Sequence, residues 1–390
     1  MGVLSTIGRL FTSSGFTQMT WQQGVMLLVS FVLIYLAIVK KYEPLLLLPI
    51  AFGMLLTNLP VSGLYTPALW SGDAKNIDFG RVLHEGGLID IFYLGVKLGV
   101  YPTLMFLAIG AMTDFGPMIA NPSSMLLGAA AQFGVYVCFT GANLLGFTPQ
   151  EAASIGIIGG ADGPTAIYVT TKLAPHLLPA IAVAAYSYMA LIPLIQPPIM
   201  RLLTTKQERE VKMVQLRSVS KTEKVIFPIL VTVLSVLFLP DTAPLLGMLM
   251  LGNLFRESGV VDRLSDVAQN GLCNATTILL GLSVGATAYG ANFLRLETLE
   301  IIGLGLVAFC FSTVGGLLGG KLLYVITKGK VNPLIGSAGV SAVPMAARVS
   351  QVEGQKANPS NFLLMHAMGP NVSGVIGSAV AAGFLLKIFG

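Results

Sequence analysis

The sequence predicts an all-α, polytopic membrane protein of about ten passes, with broken helices and an internal two-fold repeat. Three observations carry that expectation. Of 390 residues, 54% are hydrophobic and 11% are charged, and mean hydropathy is +0.78. A soluble domain carries roughly 25% charged residues, so the 23 Lys or Arg and 18 Asp or Glu here cannot cover a soluble surface. Long apolar runs recur along the chain, and a span needs about 20 such residues. The runs are interrupted by many of the 44 glycines and 21 prolines. A bilayer tolerates such breaks only where the freed backbone is buried in protein or lines a cavity. A soluble enzyme and a disordered chain are both excluded.

The elements follow in order. The first apolar run, Gly24 to Val39, is closed by Lys40-Lys41 and reads as a retained span. The pattern of Gly2 with Thr6 fits myristoylation only loosely. A second run spans Pro44 to Pro60. The polar stretch Val61 to Glu85, with Trp70, Asp73, Lys75, Asp78 and Arg81, reads as an interfacial segment. Runs from Leu88 to Met112, Pro117 to Phe147 and Ile155 to Met200 are rich in Gly and Pro, so broken helices are expected. Arg201 to Lys224 holds seven Lys or Arg against three Glu, which places it in the cytoplasm. Apolar runs resume from Val225 to Phe255, Leu272 to Ala291, Ile301 to Ile326, Val331 to Ala347 and Phe362 to Phe389. The chain thus divides into an N-terminal segment with the first span (1–43), a first membrane repeat (44–200), the charged loop (201–224) and a second membrane repeat (225–390).

Landmarks recur in the two halves in the same order. Met54 to Leu59 resembles Leu249 to Leu254, and Asn121-Pro122 resembles Asn332-Pro333. Asp162-Gly163-Pro164-Thr165 resembles Met368-Gly369-Pro370-Asn371. Ordered matches suggest a duplication, and paired broken helices in two halves point to a midplane ion site. The repeat is expected to be inverted, with the span count per half deciding.

Cys138, Cys273 and Cys310 each stand alone, and His84, His176 and His366 are scattered. No transition-metal site is expected. The net charge of +5 forms no basic stripe with aromatics, so no nucleic-acid partner is expected.

Asp162 is the first candidate for chemistry. A carboxylate inside an apolar run costs several kcal/mol, roughly, and needs a cation, a proton or strong donors. Gly159 and Gly160 permit a break, Gly163 follows, and Pro164 suits the first turn of a new helix. Freed carbonyls, a carboxylate and amide or hydroxyl oxygens make a hard-cation site. The plain alternative is an acid that only caps the second half-helix.

The block Asn332 to Arg348 carries Asn332, Ser337 and Ser341 as neutral oxygens among small residues, Gly336 included. They suit an ion site or helix packing equally. Arg348 suits a bidentate grip on a carboxylate, or snorkelling to the interface. Asn371, the counterpart of Thr165, is placed to offer an oxygen to the same region. Tyr188 suits a proton relay or simple packing. His366 reads as a satisfied core histidine.

Gly159 to Thr165, Asn332 to Arg348, and Gly354 to Pro359 through Gly369-Pro370-Asn371 together resemble the β-subunit of the sodium-pumping biotin-dependent decarboxylases. That family covers the oxaloacetate, methylmalonyl-CoA, malonate and glutaconyl-CoA enzymes. The resemblance runs from about residue 20 to the end. It implies decarboxylation of carboxybiotin coupled to Na+ export, with a proton consumed from the outer side. The implied partners are a carboxyltransferase α-subunit, a biotin carrier protein or domain and a small single-span membrane subunit. A homo-oligomer, a trimer among the possibilities, and multi-pass residence in the inner (cytoplasmic) membrane are implied too. Biotin comes from a partner, since Glu210-Val211-Lys212-Met213 only approaches the Ala-Met-Lys-Met attachment setting. The resemblance implies Na+ ligation by Asp162, Asn332, Asn371 and Ser341. It gives Tyr188 and Ser341 a second ligand set or a proton path, Arg348 the carboxybiotin, and Gly336 a close backbone approach. Two rivals stay open: a Na+-coupled secondary transporter of an organic anion, and a passive membrane anchor for a soluble decarboxylase.

Overall fold

Backbone groups in lipid have only each other to bond, so the apolar runs resolve into helices. The computed structural model describes residues 12–70, 78–160 and 162–390, and no strand occurs among them. The Gly2 and Thr6 pattern, Asp73, Lys75 and Ala161 lie outside the described residues. The principal helices are α1 (Trp21–Ile38), α2 (Pro44–Asn58), α3 (Leu88–Lys97), α4 (Val100–Met112), α5 (Ser124–Ala131), α6 (Phe133–Leu144), α7 (Pro149–Gly156) and α8 (Gly163–Leu173). They continue with α9 (Leu178–Leu203), α10 (Lys221–Phe238), α11 (Met248–Ser258), α12 (Cys273–Thr287), α13 (Leu296–Ile326), α14 (Met345–Ala357) and α15 (Leu364–Phe389).

Four of these runs are long and apolar enough to cross a membrane: α1, α5 with α6, α13 and α15. Two bent pairs raise the count to six among the described residues: α3 with α4, bent by 65°, and Pro175–Met189 with Leu191–Leu203, bent by 62°. The expectation of about ten passes exceeds that count. The difference lies in helices that are short or carry charge: α2, α10, α11 with its preceding π turn, and α12 with its own. Counting those four as crossings gives ten.

Polar contacts distinguish the two ends of the bundle. At one end His176 Nε2 lies 2.8 Å from Glu151 Oε1. At the other, Lys224 pairs with Asp114 at 3.1 Å and Lys321 Nζ donates to the Leu203 carbonyl at 3.0 Å. Helix α9, 26 residues with its bend between Met189 and Leu191, runs from the first end to the second. The second end carries the basic 201–224 stretch, whose excess of positive charge points to the cytoplasm. There Arg217 and Ser220 hydrogen-bond the Glu223 carboxylate.

Two hairpins enter from opposite ends. The cap at Thr148 forms a capping box with Glu151, and Pro149 opens α7. Because Glu151 meets His176, α7 descends from the outer end and α8 returns there, with residues 157–160 and Asp162 at the tip. The second hairpin starts at Asn332 and ends with α14. Asn332 Nδ2 donates to the carbonyls of Arg209 and Val211, at 2.9 Å each. Asn361 Nδ2 bonds the same two carbonyls at 3.1 Å each, and Asn358 Nδ2 bonds Glu210 at 3.4 Å. Both arms therefore meet the cytoplasmic loop, and Val340 to Pro344 form the inner tip.

The repeat suspected from Met54–Leu59 and Leu249–Leu254 has a physical counterpart. Asn58, ending α2, donates to the Ala288 carbonyl just past α12, at 2.9 Å. Asn253, in α11, donates to the Thr113 carbonyl just past α4, at 3.0 Å. Helix α2 packs on α12, and α11 packs on α4. The two asparagines thus do the same work in opposite halves and at opposite ends. Helix α9 runs inward to the cytoplasm and α15 runs back out, so the closing elements are also inverted.

Candidate ion site at the crossing of two hairpins

The hairpin tips touch. The Ser341 backbone N–H donates to the Gly160 carbonyl at 3.1 Å. The same carbonyl accepts from Ser378 Oγ on α15 at 3.5 Å, and Ser341 Oγ is hydrogen-bonded to Ser378 Oγ. One carbonyl freed by the first break is thus shared between the second hairpin and the helix behind it.

Asp162 caps α8. Its Oδ1 accepts from the Thr165 N–H at 3.3 Å, while its Oδ2 is buried without a partner. Capping and ion binding are compatible, because each uses a different oxygen. Pro164 opens the helix, where a missing N–H costs nothing. Gly163 lies against Tyr186, and any Cβ there would collide with the ring.

Asn371 sits inside α15 beside Pro370. Its Nδ2 donates to the carbonyls of Ala338 at 3.0 Å, Val340 at 2.7 Å and Ala342 at 3.4 Å. It therefore braces the unwound inner tip, and its Oδ1 is buried and unpartnered. Gly336 lets the inner hairpin press on α13, since a Cβ there would strike the Gly316 carbonyl.

Three residues that sequence reasoning did not single out join this group. Thr165 Oγ1 and Gln132 Oε1 are buried without partners, and Ser378 links the tips. Thr165 lay inside the Asp162 motif. Ser378 and Gln132 had no local signal, because only the fold brings α15 and the α5–α6 junction to the crossing. Buried oxygens without hydrogen-bond partners are costly unless something satisfies them. Four neutral or anionic oxygens with carbonyls at hand suit an alkali cation.

Asn332 and Tyr188, expected to serve the ion or the proton, have their polar groups engaged elsewhere. Asn332 stands at the cytoplasmic end, where its amide spans Arg209 and Val211 and its Oδ1 accepts from Leu334 N–H at 3.0 Å. Its side chain is spent on the loop, and the residue is not brought to the crossing. The Tyr188 hydroxyl donates to the Ile302 carbonyl of α13, which ties α9 to α13. His366 was expected to be satisfied, yet its buried Nδ1 has no partner. Arg348 lies in the first turn of α14, exposed and without a side-chain ion pair or hydrogen bond among the described residues.

An inverted pair of re-entrant hairpins around a carboxylate defines an ion-translocating membrane protein. Residues 22–389 match the family of the Na+-transporting oxaloacetate decarboxylase beta subunit, and the chain belongs to that family. It is 59% identical to the methylmalonyl-CoA decarboxylase subunit beta of Propionigenium modestum over the whole of both chains. It is 59% identical to the glutaconyl-CoA decarboxylase subunit beta of Acidaminococcus fermentans, over 97% of this chain and 96% of that one. Identity to the oxaloacetate decarboxylase beta chain 2 of Salmonella typhi is 53%, over 98% and 99%. The family couples decarboxylation to Na+ export, is biotin-dependent and carries its biotin on a separate subunit. The protein is thus a multi-pass membrane subunit of a multi-subunit decarboxylase.

Proposed function

We propose that this chain exports Na+ through the hairpin crossing, driven by decarboxylation of carboxybiotin that a partner presents from the cytoplasm. The observation that carries the reading is the group of buried, unpartnered oxygens on Asp162, Thr165 and Asn371 beside two touching hairpin tips. Asp162 Oδ2 takes the ion, with Asn371 Oδ1 and the hydroxyl of Ser341 completing the oxygens around it. Gly163, Pro164 and Gly336 shape the two breaks.

Carboxybiotin is a substrate here, delivered by a biotin carrier that a carboxyltransferase α-subunit loads. Its N–C bond to the carboxylate breaks, CO2 leaves, and the ring nitrogen takes a proton. Arg348 is free to pair with an incoming carboxylate, and its planar fork favours two parallel bonds. A proton arriving from the outer side neutralises Asp162, releases the ion and passes on to the ring nitrogen of biotin, which returns Asp162 to its charged form. Access alternates as the halves 44–200 and 225–390 shift against each other. Asn332 acts at a distance, by fixing the inner hairpin to the loop. A proton path through Tyr188 requires its hydroxyl to leave Ile302. Ser341 stands between both roles at the tip contact. A small single-span subunit, assembly as a homo-oligomer (a trimer is one form) and the inner membrane complete the proposed setting.

The test is uptake of radiolabelled sodium into inverted vesicles by the assembled complex. Uptake is expected with its acid substrate and lost in Asp162→Asn. Uptake undiminished in that variant contradicts the reading. Copurification with a biotinylated protein on avidin separates it from a secondary transporter, which needs no such partner.

A further inference from the structure

The α5–α6 run crosses the bundle as one span, and Gln132 closes α5 and opens α6. Ser312 Oγ of α13 donates to the neighbouring Ala131 carbonyl at 2.7 Å. The Gln132 side chain lies at the hairpin crossing. There it packs against three residues without side chains. A Cβ built on Gly160 would lie 3.6 Å from Gln132 Oε1, and one on Gly377 would lie 2.9 Å from Nε2. The Nε2 donates to the Gly374 carbonyl at 3.4 Å. Its Oε1 is then left buried, without a donor, next to the tip residue whose carbonyl joins the hairpins.

An amide oxygen in that position is an ordinary hard-cation ligand. Its donor side is used and its acceptor side is not, the same arrangement that Asn371 shows. We propose that Gln132 is a further ion-site residue, supplying Oε1 as a neutral ligand to the translocated cation. The proposal rests on the reading of the crossing as the Na+ site. It adds that the scaffold span α5–α6, and not only the two hairpins and α15, holds the ion.

The test is the Na+ concentration giving half-maximal carboxybiotin decay by the full complex in lipid vesicles, for Gln132→Leu, Gln132→Glu and Asp162→Asn. Assembly is checked by avidin copurification of all subunits. Gln132→Leu should raise the half-saturating Na+ concentration about tenfold, a larger effect than on the rate at saturating Na+. Gln132→Glu keeps an oxygen at the same reach and should restore much of the Na+ affinity lost in Gln132→Leu. A purely structural glutamine would lower the saturated rate or assembly in both variants and leave half-saturation unchanged, which overturns the proposal. If half-saturation is unchanged in Gln132→Leu while Asp162→Asn loses its Na+ response, the failure is confined to Gln132. If Asp162→Asn also responds normally, the reading of the crossing itself falls.

Discussion

Asp162 divides its two oxygens between two tasks, and that division makes its role testable at a single atom. Oδ1 caps α8, and Oδ2 faces the crossing without a partner. Asp162→Asn keeps an acceptor for the cap and removes the charge. It should leave the complex folded, with thermal stability lowered by no more than about 1 kcal/mol, while Na+-dependent turnover is lost. Unfolding of the variant, seen as loss of the complex on size exclusion, would instead make Asp162 a structural cap. Arg348 is exposed and makes no side-chain ion pair or hydrogen bond among the described residues, so changing it breaks no such pair. Arg348→Lys should weaken the apparent affinity for the carboxylated carrier at least about tenfold, through loss of one charge-assisted bond. Titration of the carrier against carboxybiotin decay checks it, and an unchanged midpoint would place the carboxylate elsewhere. Asp162 was legible in the sequence because a carboxylate in an apolar run is expensive. Gln132 and Ser378 were not, because uncharged polar residues in spans are common and only tertiary placement distinguishes them.

At the scale of elements, the inner hairpin is held by three asparagines. Asn332, Asn358 and Asn361 all donate to residues 209–211. Asn332 looked like an ion ligand from its neighbours Ser337 and Ser341, but one tip and one base of a hairpin share the same local composition. Only the loop contact separates them. Asn361→Ala removes two amide bonds and leaves the hairpin base looser, at a cost of about 1–3 kcal/mol. It should lower the thermal midpoint without abolishing Na+ binding to the detergent-solubilised complex. Loss of Na+ binding with stability intact would contradict the clamp. Gly336→Ala should be costlier to packing, about 1–3 kcal/mol from overpacking, because the Gly316 carbonyl has no room to yield. Differential scanning of the complex measures it, and a stable variant would show that the approach is adjustable. The break at Gly159-Gly160 was readable from its glycines, whereas the one around Pro344 was not singled out. The direction from which each hairpin enters was not, since it depends on which ends are tied together.

For the whole molecule, the repeat gives two halves that exchange partners: α2 with α12, and α4 with α11. The matched asparagines Asn58 and Asn253 seal those pairs at opposite ends. The sequence carried this symmetry as faint ordered matches, and it was too weak to give the sense of the repeat or the number of passes. Alternating access requires the tip contact between Gly160 and Ser341 to break and reform. A disulfide joining the two tips should abolish transport reversibly, with activity returning on reduction. Transport through a locked crossing would rule out this route.

The central claim is that loss of CO2 from carboxybiotin is coupled to an ion held at the hairpin crossing. Decay of carboxybiotin by the complex in lipid vesicles, in Na+ against K+, with Asp162→Asn alongside, tests it most directly. The account predicts decay that requires Na+ and disappears in the variant. Decay indifferent to Na+, or equally fast in Asp162→Asn, would contradict it.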